Sequence, residues 1–80
     1  MPIAGVIVVT APDKTQEILE QMNAFENVTT YGVHKGNHIV AVFEADSSKG
    51  LEKLSDNLTD RIPGILGIYP SYVNFEDEVG

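Results

Sequence analysis

Residues 3–10 read IAGVIVVT, and this stretch decides the fold. It is rich in β-branched residues, which fit a pleated strand. Both of its alternating sets are apolar: Ile3, Ile7 and Val9 on one side, Ala4, Val6 and Val8 on the other. A strand that is apolar on both sides belongs in the middle of a sheet, where both faces meet apolar neighbours. The remaining elements must therefore be arranged around a central first strand.

Working outward, "APD" breaks the strand, and Asp13 with Gln16 three residues on reads as a capping box. Ile18, Leu19, Met22 and Phe25 recur at helical spacing while Glu17, Glu20 and Gln21 face water, which predicts a helix over 14–24. Two β-like runs, 27–34 and 37–45, flank the turn "HKGN" and predict a hairpin with Gly36 at positive φ. A second helix follows, capped by Ser47, with an apolar stripe of Leu51, Leu54, Leu58 and Ile62. Arg61 suits the negative end of its dipole, and Pro63-Gly64 stops it. The last strand, 65–73, contains Pro70 and leads into Glu76, Asp77 and Glu78.

The order β-α-β-β-α-β is the split βαβ pattern of an α+β, ferredoxin-like sandwich. Right-handed crossovers put both helices on one face of a four-stranded antiparallel sheet. The spatial order 4-1-3-2 makes the last strand an edge, where a proline loses no ladder bond. We expect a single domain over 1–80, with 76–80 a frayed acidic tail.

Eighty residues bury only about 60% of the unfolded chain's surface, so every apolar face matters. There is no cysteine, hence no disulfide framework and no thiolate metal site, which fits the cytoplasm. The net charge of −7 argues against nucleic acid and anionic membranes and favours a basic partner. No apolar run is long enough to span a membrane. The N-terminus has no basic residue ahead of its apolar run and does not read as a signal peptide.

Chemistry is hard to place on this chain. His34 and His38 read as exposed turn histidines rather than metal ligands. Asp13 and Glu17 belong to a helix start, and no nucleophile sits beside an orienting base. Acylphosphatases share the topology but need an arginine in the first loop, and heavy-metal chaperones need a cysteine pair there. Here that loop is "TAPDK". The reading is a binding protein, not an enzyme, with no cofactor and no metal.

What binds is the sheet face that the helices leave uncovered. That face should be polar, yet the central strands are apolar on both sides. Because the set Ala4, Val6, Val8 and Thr10 ends on a polar residue, it is expected to point outward. In the last strand Gly67, Tyr69 and Ser71 are the more polar set. In the third, Phe43 as core and Glu44 as surface would put Val40 and Val42 outward, unless a single bulge reverses them. Such a face serves a partner or a weak homodimer.

The strings "GVIVVTAP", "EQMNAFENV", "KGNHIVAVFEA" and "IPGILGIYPSYVNFEDE" together resemble the NapD family over roughly residues 3–78. The resemblance implies a ferredoxin-like cytoplasmic chaperone for the periplasmic nitrate reductase. Its partner would be the twin-arginine signal peptide of the catalytic subunit NapA, held until the molybdenum cofactor is inserted. Val6, Val8, Val40, Val42, Tyr69 and Ser71 would then meet the apolar part of the peptide. Glu44, Asp46, Glu76, Asp77 and Glu78 would meet its arginines. The alternative is a regulatory, small-molecule-binding domain that dimerises through its sheet, as ACT-type domains do. "TAPDK" has the aspartate such a pocket wants but no glycine.

Overall fold

A computed structural model describes the backbone of residues 2–74 and the side chains of 2–71. In it β1 (Ile3–Thr10) lies inside the sheet, as its two apolar sides require. It pairs antiparallel with β3 (His38–Glu44) on one side and β4 (Ile65–Asn74) on the other. β2 (Val28–His34) completes the order β2-β3-β1-β4. β4 is thus an edge strand, which accommodates Pro70. The β2–β3 turn has both Lys35 (φ 55°) and Gly36 (φ 81°) in the left-handed region. The turn spans three residues between the paired His34 and His38, and Gly36 takes its positive φ without strain.

α1 (Thr15–Met22) and α2 (Ser48–Arg61) cover one face. Ile18 and Met22 of α1, Leu51 and Leu58 of α2, and Ile62 just beyond it share one buried cluster with Val6, Val8, Ile39 and Phe43. Leu19, Phe25 and Leu54 pack against its margin. Ser47 caps α2 as its sequence predicts: it is extended, and its Oγ accepts from the Gly50 amide at 3.0 Å.

α1 departs from expectation. It is shorter, and it is preceded by a single 3₁₀ turn, Pro12–Lys14. Neither the turn nor the helix has a side-chain cap, so the Asp13–Gln16 box does not form. A capping residue must be extended, and here Ala11 is the extended one (ψ 132°), because Pro12 starts the turn one residue early. Asp13 is drawn into that turn, and the Gln16 amide donates instead to Glu20 at 3.4 Å.

The larger correction concerns the faces of β1. Ala4, Val6, Val8 and Thr10 are the buried set, at 0–5% exposure, and lie beneath the helices. Thr10 misleads because its polarity is satisfied internally. Its hydroxyl sits 2.6 Å from that of Thr15 at the start of α1 and also donates to the Asn37 carbonyl at 3.4 Å. A buried hydroxyl with partners is as acceptable in a core as an apolar group.

Candidate functional site

The uncovered face is assembled by strand register, since residues paired across a sheet share a face. One row runs Gly32, Val40, Ile7, Tyr69 across all four strands. A second, nearer the hairpin turn, runs His34, His38, Val9, Gly67. On the other side Thr29, Val42 and Gly5 form a third row, and Glu44 faces Ile3 in the last. The centre of this face is a strip of Ile3, Ile7, Val9, Val40 and Val42, each only half-buried. An apolar strip of this kind, left in contact with water, is the mark of a surface awaiting a partner.

Tyr69 adds an aromatic tile to the strip. A Cβ on Gly67 would come within 2.9 Å of Tyr69 Cζ, so the ring lies back along β4 over the glycine. The ring is nonetheless 58% exposed, a large flat apolar surface with a polar tip. At the hairpin end, Ile7, Val40, His34, Lys35 and His38 line a hollow of about 370 Å³. At the opposite end, Glu44 and Asp46 line a hollow of about 350 Å³ with Asn27, Ser47 and Gly50. The face therefore has a direction: carboxylates where β3 leaves the sheet, imidazoles and an ammonium at the turn.

Of the residues expected here, Val40, Val42 and Tyr69 lie on the open face, with exposed Glu44 at its end; exposed Asp46 lies beyond β3, in the hollow it shares with Glu44 and the start of α2. Val6 and Val8 do not; they are core, and Ile7 and Val9 stand in their place. Ser71 is exposed, but it is the extra residue of a bulge between the Val6–Pro70 and Gly5–Tyr72 pairs. Its hydroxyl donates to the Gly5 carbonyl at 3.1 Å, so it pins the edge strand to β1. Glu76, Asp77 and Glu78 lie outside the described residues. Ile3, Ile7 and Val9 were missed because no property of the residues themselves separates them from Ala4, Val6 and Val8.

The described residues contain no group of three His, Asp or Glu that could hold a metal ion. No described helix is long and apolar enough to cross a membrane.

Comparison with known proteins gives a consistent picture. Residues 1–77 match the NapD family, described as NapD protein. Among solved structures, the solution structure of the E. coli Tat proofreading chaperone protein NapD superposes with a TM-score of 0.76 at 20% identity, covering 98% of this chain and 81% of that one. The crystal structure of a hypothetical protein from Pyrococcus horikoshii gives the same TM-score at 26% identity, covering 94% and 90%. These two likenesses establish the ferredoxin-like fold. No curated protein sequence matches.

Proposed function

The chain belongs to the NapD family, and on that premise we propose that it is a cytoplasmic chaperone for a twin-arginine signal peptide. The partner would be the catalytic subunit of the periplasmic nitrate reductase, NapA, whose export the chaperone restrains until the molybdenum cofactor is in place. The observation that carries this reading is the half-buried strip of Ile7, Val9, Val40 and Val42, which no element of the described chain covers. A signal peptide has a basic segment followed by an apolar one, and this face has a carboxylate end followed by an apolar strip. The arginines would lie at Glu44 and Asp46, and the apolar segment would run from Val42 and Gly5 toward Val9 and the hairpin turn.

Magnitudes divide the work between the two parts. Exposed ion pairs give only about 0–1 kcal/mol each, so the carboxylates cannot hold a peptide alone. Burying ~500 Å² of apolar surface supplies on the order of 12 kcal/mol gross. Association and ordering of the peptide remove several kcal/mol of that. Micromolar binding needs about 8 kcal/mol, which the remainder can reach. The strip sets affinity, and the carboxylates steer and orient.

The test is an amide NMR titration of the full chain with a synthetic twin-arginine signal peptide. Shifts should cluster on Ile7, Val9, Val40, Val42 and Tyr69. A peptide spin-labelled at its basic end should broaden Glu44 and Asp46 before His34 and His38. Shifts confined to α1 and α2, or none at millimolar peptide, would overturn the proposal.

A further inference from the structure

The charge pattern on the open face is self-complementary in one orientation only. A second copy can pack face to face about a two-fold axis lying between the two sheets. If that axis runs along the strands, carboxylate end meets carboxylate end. If it runs across them, the strand direction reverses and each Glu44 end meets a hairpin end. The register locates the second axis. Glu44 stands two rows from the Gly32–Val40–Ile7–Tyr69 row on one side; His38 stands one row away on the other, with Lys35 just beyond it in the turn. An axis along that row therefore brings Lys35 level with Glu44. It also keeps β3 over β3, and Lys35 sits in the turn that opens β3, so the two charges meet laterally as well. The same axis lays Ile7 on Ile7 and Val40 on Val40.

We propose that, in the absence of peptide, this face packs against the same face of a second copy about that axis, with Glu44 of each copy beside Lys35 of the other, so that self-association caps the binding strip. The inference rests on the reading of the strip as the peptide site, because it assigns that site a resting occupant. Four strands about 4.8 Å apart, of which the two shortest have 7 residues, present on the order of 400 Å². A stable interface takes about 800 Å² per partner, so this one is weak. Isologous symmetry doubles every contact, including the Glu44–Lys35 pair.

The symmetry also supplies the test. The full chain is followed by sedimentation equilibrium from ~10 µM to ~1 mM, the range where an interface of this size associates. Wild type passes from monomer to dimer. Lys35→Glu and Glu44→Lys each weaken association about tenfold, since like charges now face each other. The double variant carries both partners of the swapped pair in one chain and returns to within about twofold of wild type, the signature of direct coupling. A wild type that stays monomeric throughout, or a double variant no better than the singles, overturns the proposal. Calorimetry with the synthetic twin-arginine peptide separates this from the chaperone reading. Monomeric protein that binds peptide loses only the capping; dimeric protein that no peptide dissociates or binds loses the chaperone reading.

Discussion

The covered and open faces of β1 are made of nearly the same residues and do opposite work. Beneath the helices lie Ala4, Val6, Val8 and Thr10; facing outward are Ile3, Gly5, Ile7 and Val9. By hydrophobicity alone the outward set is the greasier one. What separates them is contact. Of the covered set, Ala4, Val6 and Val8 share one buried cluster with Ile18 and Met22 of α1 and Leu51 and Leu58 of α2. Its one polar member is bonded to the start of α1. The open set carries bulk that nothing in the described chain meets. Apolar character is thus common to both faces, and only the contacts that each face makes tell them apart.

The largest expected difference between the faces comes from placing the same charge on each. Val8→Asp puts a carboxylate at a position with no exposure. An unpaired buried charge costs several kcal/mol. Total stability is about 5–15 kcal/mol, and a chain this short sits near the bottom, so the variant should show no cooperative urea transition. Ile7→Asp, one residue away, should fold. Its cost is about 1 kcal/mol of strand preference, or a melting temperature lowered by roughly 4–8 °C. It should instead lose at least ~100-fold in affinity for the twin-arginine peptide, because a desolvated carboxylate replaces a side chain worth ~1.5–3 kcal/mol on burial. If Val8→Asp folds and Ile7→Asp does not, the assignment of the faces is reversed.

The buried hydroxyl pair sharpens the comparison further. Thr10→Val strands the Thr15 hydroxyl beneath the helices with only its 3.4 Å donation to the Pro12 carbonyl. A buried polar group that loses its partner costs about 1–3 kcal/mol, read from denaturant midpoints. Adding Thr15→Val should recover part of that loss, since two apolar groups of the same shape leave nothing unpaired. Peptide affinity should not move in either variant. Ser47→Ala removes the cap of α2 and should cost about 1 kcal/mol, again without touching affinity.

These residues also show how far the sequence could be read. The order of elements was legible because period 2 and period 3.6 alternate cleanly, and β1 begins and ends where its composition predicts. The α2 cap was legible because Ser47 follows an extended segment. The Asp13 cap was not, because one proline moved the start of the turn by a residue. In the site, the contrast of Phe43 with Glu44 favours Val40 and Val42 as the outward pair, but the sequence alone leaves the face of β3 open, since a single bulge would reverse it. β1 offers no such contrast beyond Thr10, and Thr10 points to the wrong face unless its bond to Thr15 is known. β4 adds two bulges, at Leu66 and Ser71, that restart its alternation. Register of this kind is set by pairing across the sheet, and a single strand does not contain it.

The smallest effect lies at the end of the open face. Glu44 and Asp46 are exposed, and water competes for both. Glu44→Gln with Asp46→Asn keeps shape and removes two charges. Together they should weaken peptide binding by at most about tenfold at low ionic strength, because exposed pairs are worth 0–1 kcal/mol each. The loss should appear mainly in the association rate, where a carboxylate end steers a basic segment. At ~1 M salt the screening length falls to about 3 Å, and variant and wild type should converge. That convergence is the point of contrast with Ile7→Asp, whose loss should persist at any salt because lost apolar burial and desolvation of the new carboxylate, neither of them screened by salt, carry it. If the carboxylate variant keeps its deficit in high salt, an arginine of the peptide is held in a desolvated contact in the hollow beside Asn27. The open face would then discriminate at its acidic end as well as along its strip.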